Sequence, residues 1–278
     1  MELVEHVVAT YHEVALKGGN RGFFERALLR NLRTALAGLP VAEIAVPSRI
    51  VIRFATPVPW PAVRERLATV FGLVGILPAT RVGGSYEQLE AHVAAHLGEL
   101  RGESFAIRCQ RYDKSFPLRS GEVARRLGQL VRERTALRVD LADPDTTVHV
   151  LVQADGIFVY LERLAGPGGL PVGTSGRVLV LLSGGIDSPA AAYMALKRGT
   201  RALFLHFHSA PYTSDASVRK VAEIVRIINR HQGASRLYVV PVGDCQREIV
   251  ARGPEALRVV LYRRMMLRVA ARVARRTR

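Results

Sequence analysis

Apolar positions in the first eighty residues alternate between two rhythms, and each rhythm predicts an element. The run over 4–11 is mostly apolar and reads as a strand. Phe24, Ala27, Leu28, Leu32 and Ala35 recur at helical spacing and predict a helix over 23–36. Gly18 and Gly19 form a loop before it, with Asn20 placed to cap the helix. Short β-rich runs at 42–46 and 50–54, split by Pro47 and Ser48, predict a hairpin. A helix over 60–71 follows, with Pro61 tolerated in its first turn, and then a strand over 76–82. The order β-α-β-β-α-β is the split β-α-β, ferredoxin-like arrangement.

A second unit occupies 85–166. Ser85 and Gln88 have the spacing of a capping box opening a helix to about residue 100. Residues 104–110 alternate as a strand, with Phe105, Ile107 and Cys109 on one face and Ala106 and Arg108 on the other. An amphipathic helix over 120–135 precedes a hairpin of 146–153 and 157–161 around Ala154, Asp155 and Gly156. Residues 166–173 are the most Gly/Pro-rich stretch and read as a linker.

Beyond the linker the pattern becomes α/β. Strands are predicted at 177–182, 202–207 and 237–242. Helices are predicted at 188–197, closed by Gly199, at 214–232, closed by Gly233, and at 254–276. This is the start of a doubly wound parallel sheet. The fold class is therefore α+β and α/β multidomain.

Charge sharpens the division. Of the 278 residues 49% are hydrophobic, which excludes global disorder. The net charge is +16, from 40 Lys and Arg against 24 Asp and Glu. Only four of the basic residues are lysines: 17, 114, 197 and 220. Residues 1–166 carry a net +3, and residues 167–278 a net +13. A basic chain attracts nucleic acid through release of phosphate counterions. Two cysteines 136 residues apart, Cys109 and Cys245, form neither a disulfide framework nor a CxxC motif. A reducing, cytoplasmic setting is expected, with no membrane segment and no secretory signal in the first ten residues.

The strongest chemical signal is Ser183-Gly184-Gly185-Ile186-Asp187-Ser188-Pro189 after the strand at 178–182. Adjacent glycines let backbone N–H groups turn toward a phosphate, and the helix that follows points its positive end at the same place. Ser183 and Ser188 add hydroxyl donors, while Asp187 suits Mg²⁺ or loop orientation better than direct phosphate contact. Neither a Walker A loop nor a Gly-x-Gly-x-x-Gly fingerprint is present.

This motif resembles the PP-loop of ATP pyrophosphatases. The run Glu13-Val-Ala-Leu-Lys17-Gly18-Gly-Asn20-Arg21 through Glu25 is similar to the N-terminal ferredoxin-like domain of the tRNA 4-thiouridine synthetase family. Arg108, Arg111 and Asp143-Pro144-Asp145 through His149 are similar to its THUMP domain, whose signature begins near residue 61. Gly173, the Ser183–Ser188 loop, Met194, Lys197-Arg198-Gly199, His206 through Ser209 and Arg263 through Met266 follow in the family's order. The resemblance implies a ferredoxin-like domain over 1–76, a THUMP RNA-binding domain over 77–166 and a PP-loop ATP pyrophosphatase domain over 173–278.

It also implies an activity. ATP converts uridine O4 in tRNA to an adenylate, and persulfide sulfur then displaces AMP to leave 4-thiouridine. A role in thiamine thiazole synthesis comes with the family. Leu181, Leu182, His206 and Phe207 would frame the adenosine. Ser183, Gly184, Gly185, Asp187 and Ser188 would hold pyrophosphate and Mg²⁺, with Asp187 catalytic, and Arg263 would add positive charge near the nucleotide. RNA contacts would come from Lys17, Arg21, Arg108, Arg111, Lys114, Arg119 and Arg125, reading phosphates and shape. The implied partners are tRNA, a cysteine desulfurase as persulfide donor, a sulfur-carrier protein and a second copy of the chain.

The family pattern continues past the position of Arg278, with further strands, a Gly-Glu-Ser type loop and the sulfur-carrying cysteine. The expectation is therefore a C-terminally truncated member. Cys109 reads as a structural thiol, and Cys245 stands where no family cysteine is expected. The alternatives are a tRNA-binding THUMP module with an inactive, incomplete ATP domain, or another PP-loop amidating or thiolating enzyme. The order of the N-terminal units argues against the latter.

Overall fold

The computed structural model describes residues 3–46, 49–212 and 214–277, so the turn expected at Pro47 and Ser48 lies outside the described residues. The elements run β1 (Leu3–Tyr11), α1 (Arg21–Ala35), β2 (Val41–Ala45), β3 (Ile50–Pro59), α2 (Trp60–Leu67) and β4 (Leu73–Val82). Then come α3 (Tyr86–Ala95), β5 (Ser104–Arg111), α4 (Ser120–Arg134), β6 (Arg138–Val139), β7 (Thr146–Gln153), β8 (Gly156–Tyr160) and β9 (Leu164–Ala165). Last are β10 (Arg177–Leu181), α5 (Asp187–Lys197), β11 (Arg201–His208), α6 (Ala216–Asn229), β12 (Leu237–Pro241), α7 (Gly243–Arg252) and α8 (Arg258–Arg276). Contacts divide the chain into two compact units. One comprises residues 1–11, 38–68 and 74–166, and the other 12–37, 69–73 and 167–278.

The first unit is built on one nine-stranded sheet in the order β2-β3-β1-β4-β8-β7-β5-β6, with β9 paired to β4. Strand β3 runs on to Pro59, past the expected end at residue 54. Its extension pairs Val58 with Val4 and Pro59 with Leu3 across a register shift in β1. Pro57 hides this extension in the sequence, because it breaks the apolar alternation. The capping box forms as expected: Ser85 Oγ accepts from Gln88 N, and Gln88 Oε1 accepts from Ser85 N at 3.2 Å. Helix α3 nonetheless ends at Ala95, and a 3-10 turn over Leu97–Glu99 replaces the last predicted turn. Leu89, Val93, Val123, Leu127 and Val131 from α3 and α4 bury against Phe105, Val148, Val150, Val152 and Ile157. Full burial of each such side chain contributes about 1.5–3 kcal/mol.

The second unit carries the three-stranded parallel sheet β10-β11-β12. Its core joins Leu182, Ala192, Leu196, Phe204, Val221 and Val225 with Phe71 and Val172. Helix α2 stops at Leu67 rather than continuing to residue 71, and the apolar Val70 and Phe71 are buried outside it. Phe71 meets Tyr193 edge-on and stacks on His231, with ring centroids 5.0 and 5.1 Å away. The Gly-rich stretch is not slack. Gly169 has φ +76°, and a Cβ there would lie 2.2 Å from the Lys197 carbonyl oxygen, which accepts from Leu170 N at 2.9 Å.

Gln232 extends the ladder of β11 with a side chain. Its Oε1 accepts from Ala202 N at 2.8 Å, and its Nε2 donates to Ala202 O at 3.1 Å. Helix α7 has no counterpart in the sequence pattern. Its one buried residue is Gly243, so it shows no apolar stripe. A 3-10 turn over Glu255–Leu257 precedes α8, which starts four residues later than expected. Asn20 stands at the N-cap of α1, but its side chain accepts no capping hydrogen bond among the described residues.

Candidate functional site

Strand β10 delivers the chain into the loop 182–186, and α5 begins at Asp187. Two hydroxyls clasp this loop. Ser188 Oγ accepts from Ser183 N at 2.9 Å and lies 3.0 Å from Ser183 Oγ. Ser183 Oγ also accepts from Gly185 N at 3.3 Å. The clasp bends the backbone back on itself and leaves the N–H groups of Gly184 and Ile186 without an acceptor among the described residues. Open N–H groups beside a helix N-terminus make an anion cradle. Asp187 is exposed in the first turn of α5 and has no ion-pair partner among the described residues. Its carboxylate is available to a divalent cation, and no cluster of three metal-ligating side chains occurs among the described residues.

The neighbouring strand ends lie beside this cradle. Leu181 pairs in register with Leu205, and Leu182 N donates to Leu205 O at 2.8 Å. Leu182 is buried, whereas Leu181 is 38% exposed. His206 is buried, with Nδ1 2.9 Å from Leu182 O, and its Nε2 is buried without a partner among the described residues. Phe207 is half-buried. The structure thus brings Leu182, the loop and His206 together. Arg263 lies on α8, exposed, among Val260, Arg264, Leu267 and Arg268. Lys220 of α6 escaped the sequence reading. The Cβ position of Gly184 lies 3.4 Å from its Cδ and 3.9 Å from its Nζ. A lone lysine in a helix gives no sequence signal; only the fold sets it against the loop.

Of the expected RNA-binding residues, Arg108, Arg111, Lys114, Arg119 and Arg125 belong to the first unit, and Lys17 and Arg21 to the second. Arg111 is half-buried and donates to Phe116 O at 2.9 Å and Leu118 O at 3.1 Å, so it fastens the loop carrying Lys114. Arg108 donates to Leu141 O at 3.2 Å. Lys114, Arg119 and Arg125 are exposed. Lys17 sits over the Phe24 ring at 5.2 Å, and Arg21 pairs with Glu25 at 2.8 Å.

The sheet adds groups that the sequence did not bring forward. Residues 148, 150 and 152 face α3 and α4, so His149 faces the other way with Arg108, its register partner. His149 stacks on Tyr160 at 4.8 Å and 6°. Burial, with Arg163 and Arg108 nearby, lowers its pKa to about 4. Arg49 lies over Tyr112 at 5.4 Å and donates to its hydroxyl at 3.0 Å. Polar and aromatic residues at strand-interior positions are the trace this face leaves in the sequence. Cys109 packs against the core, and burial pushes its thiol up to about 11, while Cys245 is exposed.

Parallel strands feeding a Ser-Gly-Gly-x-Asp-Ser clasp, joined to a mixed sheet rich in Arg and aromatic residues, define a PP-loop nucleotide-binding protein with an RNA-binding module. Family models match in the same order: the ThiI ferredoxin-like domain over residues 6–76, the THUMP domain over 86–162 and the thiamine biosynthesis protein (ThiI) model over 173–278. The chain is 40% identical over 270 residues to a "Probable tRNA sulfurtransferase" of Moorella thermoacetica, covering 96% of this chain and 69% of that protein. It is 43% identical over 277 residues to one from Nocardia farcinica, covering 97% and 67%. A crystal structure of a 4-thiouridine synthetase–RNA complex with bound ATP superposes with a TM-score of 0.86 at 31% identity, covering 99% of this chain and 71% of that one. The chain belongs to the ThiI family of tRNA sulfurtransferases, and it spans about two thirds of the length of these curated relatives.

Proposed function

We propose that this protein binds ATP at the Ser183–Ser188 loop and tRNA through its ferredoxin-like and THUMP parts (1–76 and 77–166), and that it thiolates a tRNA uridine. The observation that carries the reading is the serine-clasped loop at the head of α5, in a chain 31% identical to a 4-thiouridine synthetase solved with RNA and ATP. Open amides of the loop and the α5 terminus would stabilise the β- and γ-phosphates. Asp187 would hold Mg²⁺ against them. Leu181, Leu182, His206 and Phe207 would seat the adenosine, and His206 would fix the Leu182 carbonyl while offering Nε2. Arg263 would add charge toward the nucleotide from α8.

With ATP so held, uridine O4 attacks the α-phosphorus and pyrophosphate leaves. The oxygen at C4 then departs as part of AMP when a sulfur nucleophile adds. The chemistry needs a poor leaving group made good, and the loop's task is to stabilise the departing pyrophosphate. On the RNA side, Lys114, Arg119 and Arg125 would contact phosphates, with Lys17 and Arg21 adding charge from α1 and its leading turn. The stacked pairs His149–Tyr160 and Arg49–Tyr112 offer surfaces that suit unpaired bases. Arg108 and Arg111 support those surfaces through their backbone contacts. A cysteine desulfurase would supply persulfide, a sulfur-carrier protein and a second copy of the chain complete the partner set, and the setting is cytoplasmic.

The test is to incubate the full-length native protein with tRNA, ATP, Mg²⁺, cysteine and a cysteine desulfurase, then digest the tRNA. Mass spectrometry is expected to show 4-thiouridine formed only with ATP, with AMP and pyrophosphate released together. Release of ADP, or thiolation without ATP, would overturn the reading.

A further inference from the structure

The loop that would cradle the triphosphate contains no cation of its own: Ser183 through Ser188 hold three polar side chains, one of them the acid Asp187. Its N–H groups are dipoles, and a departing pyrophosphate carries several full negative charges. Beyond a divalent cation at Asp187, side-chain positive charge has to come from another element, and the described residues place such a charge beside the loop. Lys220 projects from the first half of α6 against Gly184, with Cδ 3.4 Å and Nζ 3.9 Å from where a Cβ would stand. It is exposed and has no ion-pair partner among the described residues, whereas Arg226 on the same helix is paired with Glu223. The lysine stem thus lies at van der Waals distance from the Cβ position of Gly184. The chain uses 36 arginines and only four lysines, so this ammonium stands out against the chain's own habit. A compact ammonium on a flexible stem can follow a phosphate group as it moves away, which the rigid guanidinium fork does less well.

We infer that Lys220 is a phosphate-contacting residue of the nucleotide site, binding the β- and γ-phosphates of ATP and the pyrophosphate that leaves. The inference rests on the ATP reading of the loop and adds a residue and a division of the substrate. The adenosine is held by the strand ends, and the outer phosphates by the loop amides together with Lys220 of α6.

Calorimetric binding of ATP, AMP and pyrophosphate to the whole chain tests it, using wild type, Lys220→Gln and Lys220→Arg. Thermal unfolding of each variant checks the fold. Lys220→Gln is expected to weaken ATP and pyrophosphate about tenfold or more, while AMP stays within about twofold. Lys220→Arg is expected to keep most of the ATP affinity. Unchanged ATP affinity in Lys220→Gln, equal loss of ATP and AMP, or equal loss in Lys220→Arg and Lys220→Gln would each overturn the inference while leaving the loop as a nucleotide site. A wild-type chain that binds neither ATP nor AMP would overturn the reading of the loop itself, and this inference with it.

Discussion

The two sheets of this protein put their chemistry in different places. In the nine-stranded sheet, candidate groups are side chains that stand on strand interiors, such as Arg108 and His149 at matched register, with Tyr160 stacked beside them. In the three-stranded sheet, strand interiors are mostly apolar, and the candidate chemistry sits at the end of β11 with His206 and in the loop that leaves β10, largely on the backbone. A mixed sheet with helices against one face can spend its other face on recognition. A parallel sheet works at the carboxyl ends of its strands, where chain reversal exposes N–H groups. The proposed reading therefore pairs a surface for an extended polymer with a point site for a small anion.

The sharpest way to break this comparison is Asp187→Ala. ATP-dependent thiolation by the full-length protein is expected to fall by about 10²-fold or more, with tRNA affinity in filter binding within about twofold of wild type. Equal loss of both would mean the two sites are not separable. The converse variant is Tyr112→Ala, which removes the ring under Arg49. It is expected to weaken tRNA binding by about 1–3 kcal/mol, the usual range for one stacked base, and to leave ATP binding unchanged.

A structural contrast sharpens the same point. Gly169→Ala would force a Cβ into the Lys197 carbonyl at a positive φ, so the second unit should lose about 2 kcal/mol or more. Circular dichroism melts measure the loss, and limited proteolysis should place new cuts in 167–278 rather than in 74–166.

The smallest effect concerns pH. His149 has a pKa of about 4 in the folded protein against 6.5 for a free histidine. Between those values the unfolded chain binds a proton that the folded protein refuses, so this contribution to stability is full above 6.5 and declines as pH falls toward 4. His6, His92 and His231 are lowered by burial as well and add to the slope. Melting temperatures of His149→Gln should fall less steeply over that range than those of wild type.

Legibility in the sequence followed the same division. The Ser-Gly-Gly-Ile-Asp-Ser loop was readable because backbone chemistry demands glycine, and glycine at fixed offsets is a local signal. The ferredoxin-like order was readable because period 2 and period 3.6 alternate cleanly from 4 to 82. Helix α7 was not, because it buries almost nothing, and the end of α2 was misplaced because Phe71 serves the core of the second unit. The Arg49, Tyr112, His149 and Tyr160 set is scattered over 112 positions, and only the fold assembles it: sheet register pairs His149 with Tyr160, and a side-chain contact joins Arg49 to Tyr112. Lys220 was invisible for the same reason.

Strand β4 carries one more consequence. It covers Leu73–Val82, lies between β1 and β8 and also takes β9, while the ferredoxin-like family model ends at residue 76, in mid-strand. A boundary drawn by descent is therefore not a boundary in cooperativity. Amide exchange should find the two halves of that sheet opening as a single foldon, with the N–H groups of β4 among the slowest. A fragment cut at residue 76 would inherit half a strand and two unpaired edges rather than a domain.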